Sequence, residues 1–504
     1  MSTLRTLLAA AALAVLLPTL AAAQRTVNVS DADGLTAAMA DAMPGDDIVL
    51  ANGDYAMRHR LNTSAAGTES ARITVRAENP GRANVLFRDA TGTVEGFVVS
   101  HPYWTFEDLV LVGDCASEHE CEHAWHVVVD ADFTIIRNNV ARNFNAQIKG
   151  NGNGDAGDPR FPDDVLVEGN EFYSETVRMT DRPVTPIDVV GGRRWIIRAN
   201  YIHDFAKGMG NNVSYAAFLK GNSRDGIIER NLIVCEQLHT GQVRLGLSFG
   251  GGGSNPDRIC EDGDCSIEHQ GGIMRNNIIA HCPADVGIYV NECVDCALLH
   301  NTVYDTTGID VRFGVSTVVV DGNILSGRIR ERDGGTATAS NNLEMVTAWN
   351  SWFVDPDNLD FTRVDGATFV DTGVASGDVT DDYCGRVRED GAPDLGAVEY
   401  DTDAPCDTSV VHPGGSVPMP GEDAGPGGRD AGPGVGGGPG VDGGPGSDSG
   451  PRADGGGPGS DAGTLAPSDD GCGCRAPGTG TAPRHGLLVL GALSLFAWRR
   501  RRAG

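Results

Sequence analysis

Apolar and polar residues alternate in short bursts through the middle of this chain, and one burst keeps returning. Two or three apolar β-formers are followed by one or two polar residues, an Asn, and more apolar residues. The phrase reads Thr134-Ile-Ile-Arg-Asn-Asn-Val140, Trp195-Ile-Ile-Arg-Ala-Asn-Tyr-Ile202 and Gly226-Ile-Ile-Glu-Arg-Asn-Leu-Ile233, with further copies on both sides. The aligned residues Asn139, Asn170, Asn200, Asn231, Asn277, Asn301 and Asn323, with Asn342 as a further candidate, are mostly 19 to 31 residues apart. One 46-residue gap, between Asn231 and Asn277, marks a loop inserted into one unit over roughly 238–270. A near-fixed period means stacked supersecondary units.

Each unit is too short for two packed helices. It is rich in Val and Ile, alternates in polarity, and turns at Gly, Asn and Asp, so it reads as strands. One unit is then one coil of a parallel β-solenoid, with adjacent coils about 4.7–4.9 Å apart. An inward Asn at the same bend of every coil can bond its neighbours' backbone and the next Asn, forming a ladder. A β-sandwich of many short strands is the alternative, but sandwiches do not repeat a residue in register. The predicted class is all-β, and the long coils resemble the right-handed parallel β-helix superfamily.

Composition divides the chain into four parts. Residues 1–23 carry Arg5, an apolar run and Ala21-Ala-Ala, which reads as a signal peptide. Residues 24–400 are the solenoid. Residues 401–470 are a Gly, Pro, Asp and Ser linker, expected to stay disordered because it has almost nothing to bury. Residues 471–504 hold Cys472 and Cys474, a short apolar stretch and four arginines from Arg499. This order resembles the C-terminal sorting tail found in myxobacteria. That resemblance implies processing near the two cysteines, contact with export and sorting machinery, and display at the cell surface or outer membrane. The alternative is a permanent membrane anchor through the same tail, although about 20 apolar residues are normally needed to span.

Ten further cysteines fit an oxidising compartment, where disulfides are the default. Cys115 and Cys121, Cys260 and Cys265, Cys293 and Cys296, and Cys384 and Cys406 lie close in sequence. Cys235 and Cys282 each follow a ladder Asn, so adjacent coils bring them within reach of one another. A metal site at Cys293-Val-Asp-Cys296 lacks a second ligand pair, and no metal is assigned.

A short amphipathic segment over 33–42 suits a helix capping the first coil. It leads into Pro44-Gly-Asp-Asp-Ile-Val-Leu-Ala-Asn-Gly-Asp-Tyr55. This opening resembles the chondroitinase B/alginate lyase family (polysaccharide lyase family 6). The stretches 381–388 and 393–400 resemble the closing motif of many secreted β-helix proteins.

Counting back 11 residues from the ladder Asn places Lys220 and Arg312 in one column, with Asp188 beside it; the insertion breaks the count for the coil between, where the match of Gln242-Val-Arg-Leu-Gly246 to Ala217-Phe-Leu-Lys-Gly221 adds Arg244, and Lys149 in Gln147-Ile-Lys-Gly150 is a further candidate for this basic column. On a chain of formal charge −30, one positive furrow would select an extended acidic polysaccharide. Nucleic acid is disfavoured by the overall charge and the scarcity of aromatics, and the chain is expected to act as a monomer. In the family above, a Lys and an Arg from successive coils carry out β-elimination on uronic-acid glycans. By that resemblance Lys220 would be the base, and Arg244 would assist protonation or bind the acid group. The family places acidic calcium ligands shortly before the Lys. Here Asn212-Val-Ser-Tyr-Ala216 has no carboxylate, so calcium is not carried over. The oxygen-rich stretch 257–264 is a separate Ca²⁺ candidate. A hydrolase using Asp188 with Asp225 or Asp310 and a non-catalytic, glycan-binding or adhesive solenoid are the competing readings.

Overall fold

The computed structural model describes residues 24–88, 94–153, 159–251, 260–364, 368–388, 391–400 and 406–408. Residues 1–23, almost all of 401–470 and the whole of 471–504 lie outside them, as do the signal peptide, the linker and the sorting tail with Cys472 and Cys474. Among the described residues no helix is long and apolar enough to cross a membrane.

The chain is a right-handed parallel β-helix, as the repeat predicts. Each full coil places one strand in each of three sheets, taken here in chain order. The first sheet has 12 strands, from Thr26–Val29 to Thr336–Ser340. The second and third have 10 each, running from Gly53–Met57 to Ile324–Leu325 and from Leu61–Asn62 to Arg328–Arg332. Pairing is parallel throughout the three sheets. Side chains such as Val75, Phe106, Ile136, Val167, Ile197, Ile228, Met274, Leu298 and Val320 stack in one buried row.

The ladder is present in full. Each Asn side-chain N–H donates to the next Asn side-chain oxygen at 2.9–3.0 Å, from Asn139 through to Asn342. The same oxygens also accept the backbone N–H of the preceding Asn. The residue before each ladder Asn adopts a left-handed backbone, including Ala199 (φ 52°), Arg230 (φ 55°) and His300 (φ 50°). A left-handed residue costs a side-chain-bearing L-amino acid about 1–2 kcal/mol, so the ladder holds a bend the local sequence disfavours.

At the amino end, the helix Ala32–Ala40 starts on the Asp31 side chain, which accepts from the Gly34 N–H at 2.8 Å. It buries Leu35 and Met39 on the first coil, the predicted cap. Asp46 accepts from Met43 N at 2.7 Å, and the Tyr55 hydroxyl donates to Val29 O at 2.9 Å. The opening motif therefore closes the first coil on itself.

The other end differs from expectation. The coils stop near Ser340, and the chain from about 343 folds back along the outside of the second sheet. Trp349, Phe353, Phe361, Phe369, Tyr383 and Leu395 cover Tyr201, Leu232, Ile278 and Ile324. The closing motif thus seals a lateral face and does not plug the end of the stack. Its pins are Arg363 to Asp394 at 2.9 Å, Arg386 to Asp382 at 2.7 Å, and Asn276 Nδ2 donating to Asp381 O at 2.7 Å.

All five cysteine pairs grouped by sequence are bonded: Cys115–Cys121, Cys235–Cys282, Cys260–Cys265, Cys293–Cys296 and Cys384–Cys406. Cys235–Cys282 ties adjacent coils across the insertion.

Candidate functional site

The outward face of the third sheet carries most of the predicted site residues, but its register differs from the count made on sequence. One outward column runs His126, Lys149, Asp188, Phe218, Ser248, Tyr289, Asp310, Arg330. Two residues further along the strands, a second column includes Asn151, Val190 and Lys220, then Asn291, Arg312 and Arg332. Lys220 and Arg312 therefore share a column, as expected, three strand spacings or about 14 Å apart. Lys149 belongs to the other column.

The corner between the third and first sheets varies in length. Lys220 and Arg312 each stand 11 residues before their ladder Asn, whereas Val190 and Asn291 stand 10 before theirs. A one-residue change at a turn shifts every side chain on the strand it feeds.

Arg244 is the larger correction. It pairs in register with Ser214, at the start of its strand, and Leu247-Ser-Phe249 is what aligns with Ala217-Phe-Leu219. The similarity of Gln242–Gly246 to Ala217–Gly221 is a false match. The Arg244 side chain is 1% exposed; it donates to the carbonyls of Gly241 and His239 at 3.0 Å each, and to that of Cys235. A further N–H points at His239 Nδ1 at 3.0 Å. Burial lowers its affinity for the proton. Asp204, itself fully buried, accepts from the backbone N–H groups of Gln237, Leu238 and His239 at 2.8–3.1 Å. Arg244 and Asp204 together pin the 235–241 loop, so Arg244 does not share an open furrow with Lys220.

Lys220 is half-buried at the strand's end, with its ammonium 4.8 Å from the centre of the Phe218 ring. Next to it the chain turns at Gly250 (φ 78°), and a Cβ on Gly251 would touch the Lys220 stem at 3.2 Å.

Several cations of the face are matched by acids. Lys149 Nζ lies 2.7 Å from Asp188, and Arg330 and Arg332 both hold Asp310, at 2.5 and 2.7 Å. Arg312 pairs with Asp333 and lies 3.5 Å from the Tyr289 hydroxyl. Burial works against its charge, but these two partners outweigh it and raise its pKa. Asp188 and Asp310 are four strand spacings apart, about 19 Å, well beyond the roughly 5–9.5 Å of paired-carboxylate hydrolysis. Asp225 sits at a left-handed turn (φ 54°) on another corner. The Asp188–Asp310 pairing is excluded by that separation.

In the acidic stretch 257–264, residues 257–259 lie outside the described set. Glu261 is taken by Arg193, and Asp262 accepts from Asp264 N and Cys265 N at 2.9 and 3.0 Å. Those carboxylates are engaged in holding the disulfide loop. The histidines near these coils are packed: His203 lies between Asp204 (2.8 Å) and Glu171 (3.3 Å), and His269 stacks on Phe249 with ring centres 4.4 Å apart.

One group has no counterpart in the sequence reading. Glu95, His123 and His126 meet at the amino-terminal part of this same face. In a regular strand residues three apart face opposite ways, so the pattern His-x-x-His does not register as a pair.

No family model matches this sequence, and no curated protein does either. Solved structures do match. A pectate lyase, Pel9A, matches with a TM-score of 0.51 and 16% identity, over 73% of this chain and 90% of its own. A rhamnogalacturonan lyase matches with a TM-score of 0.48 and 11% identity, over 66% and 92%. An alginate lyase of polysaccharide lyase family 6, AlyGC, matches with 0.36 and 15%, over 63% and 51%. At these identities the likeness is one of fold, and the chain is a right-handed parallel β-helix whose structural neighbours include polysaccharide lyases.

Proposed function

We propose that this protein engages an acidic polysaccharide across the outward face of the third sheet, with Lys220 at the reacting position of a β-elimination on uronic-acid units. The observation that carries the reading is the shared column of Lys220, Arg312 and Arg332 on a chain of formal charge −30. A polymer lying along this column would meet Lys220 and, three and four strands further on, Arg312 and Arg332, on a chain whose net charge otherwise repels it. In such a reaction the sugar carboxylate must be neutralised so that its neighbouring C–H becomes acidic, and a base then removes that proton. Lys220 suits the second role, and Arg312, about 14 Å along the column, would hold the carboxylate of another sugar unit of the same polymer. Arg244 is left out of the reacting set, since it is consumed by the 235–241 loop.

One observation favours a second reading, a glycan-binding solenoid without turnover. Lys149, Arg312, Arg330 and Arg332 are each matched by a carboxylate, so the face is less positive than its cation count suggests. Export and surface display, through the signal peptide at 1–23 and the tail at 471–504, fit either reading and are supported by the disulfides. A calcium requirement enters as a variable of the assay.

The test is incubation of the full chain with polygalacturonate, alginate and chondroitin sulfate, with and without Ca²⁺, following the ultraviolet absorbance of the unsaturated uronate product. Lyase activity that disappears in Lys220→Ala supports the first reading. No product from any polymer, with retention on the polymer in affinity electrophoresis, leaves the binding reading standing. Absence of both product and retention rejects the two together.

A further inference from the structure

We infer that Glu95, His123 and His126 form a binding site for a divalent transition metal, Zn²⁺ above all. Their ligand atoms all lie within 4.8 Å of one another. His123 and His126 stand on the strand Cys121–Val128, and Glu95 on its neighbour Val94–Val99, directly across from His123. Both imidazoles face outward because the strand carries two consecutive inward residues, Ala124 and Trp125, which shift its alternation by one. Gly96 makes that possible on the partner strand, where any Cβ would collide with the Ala124 carbonyl.

The hydrogen bonds around the group identify what is missing from it. Asn151 Nδ2 donates to Gly152 O at 3.0 Å, so the Asn151 side-chain oxygen is the atom facing His126 Nε2, at 2.6 Å. His126 Nε2 must therefore carry a hydrogen. In the neutral ring this leaves Nδ1 as a bare lone pair, yet it points at Glu95 Oε1 at 2.7 Å. His123 Nδ1 points at the same oxygen at 3.4 Å. Three electron-pair donors thus converge on one point, and a cation there satisfies all of them.

The set suits zinc on chemical grounds. Two imidazoles and one carboxylate are a familiar zinc triad that leaves a fourth position open. Bonds of about 2.0–2.2 Å in a tetrahedron need donors about 3.4 Å apart; His123 Nδ1 already stands 3.4 Å from Glu95 Oε1, and His126 Nδ1, at 2.7 Å, would move outward by less than an ångström. The surroundings supply the outer partners such ligands normally have: the Asn151 oxygen fixes the His126 tautomer, and Arg60 takes Glu95 Oε2 at 3.3 Å, leaving Oε1 for the metal. The open position faces the same sheet surface as Lys149 and Asp188, one and two strands along. The competing arrangement is a protonated His126 paired with the Glu95 carboxylate, which takes up no metal. The site stands or falls independently of any lyase activity.

The test is calorimetric titration of the chelator-stripped full chain with Zn²⁺, with Co²⁺ absorption as a second probe of nitrogen ligation. One ion per chain is expected, with binding lost in His126→Ala and weakened roughly 10- to 100-fold in Asn151→Leu. Glu95→Gln, which preserves size, serves if the histidine variant does not fold, and it too should lose the ion. Failure of the intact chain to bind Zn²⁺, or binding unchanged by both His126→Ala and Glu95→Gln, overturns the assignment; the latter would place the ion elsewhere on the chain.

Discussion

Replacing Asn231 by Ala should remove one rung of the ladder and destabilise the whole stack. The side chain is fully buried. Its N–H groups donate to Ile197 O at 2.9 Å, Glu229 O at 3.0 Å and Asn277 Oδ1 at 2.9 Å. Its oxygen accepts from Asn200 N at 2.9 Å and Asn200 Nδ2 at 3.0 Å. Ala leaves the Asn200 backbone N–H stranded, at about 1–3 kcal/mol, and deletes four further bonds worth about 1 kcal/mol each. A water entering the polar void returns part of this, so the expected loss is about 3–5 kcal/mol. Asn342 supplies the control. It ends the ladder, is only half-buried, and water reaches what Ala would expose, so Asn342→Ala should cost about 1 kcal/mol. Urea unfolding by circular dichroism measures both, and a fall in the slope for Asn231→Ala alone would report the stack splitting into two cooperative blocks. If Asn231→Ala costs less than about 1 kcal/mol, or no more than Asn342→Ala, the ladder does not hold the bends and the reasoning is wrong.

Two other expectations concern Arg244 and His269, both buried in the fold. Arg244→Ala should open the 235–241 loop to limited proteolysis and lower thermal stability, with Arg244→Lys restoring little because one ammonium cannot reach three carbonyls; a variant that stays protease-resistant refutes the pinning role. His269 is held neutral by burial, its pKa lowered to about 3, and Ser223 Oγ lies 2.7 Å from Nδ1. Its folded value lies below the unfolded one of about 6.5, so stability is retained above that pH and falls by about 1.4 kcal/mol per unit as the pH drops toward 3. Between about pH 7.5 and 5.0 the stability gap between parent and His269→Asn should therefore narrow by about 2 kcal/mol, and a constant gap in urea titrations at the two pH values counts against it.

The one-dimensional pattern determined the β-helix itself, the Asn ladder and the capping helix, because each rests on local alternation or on a repeat that stacking places in register; it grouped the ten cysteines as candidates, and the structure supplied their connectivity. The pattern also put Lys220 and Arg312 in one column, since both corners there have the same length. Tertiary structure alone decided the rest. Val190 and Asn291 joined that column through corners one residue shorter, Arg244 left it because its true partner is Ser214, and the closing motif turned sideways onto the apolar outside of the second sheet. Glu95, His123 and His126 came together only because two successive inward residues bend the alternation. Repetition fixes how coils stack, but the number of residues spent at each corner and the occasional break in a strand's alternation decide which side chains meet, and neither is written in the repeat.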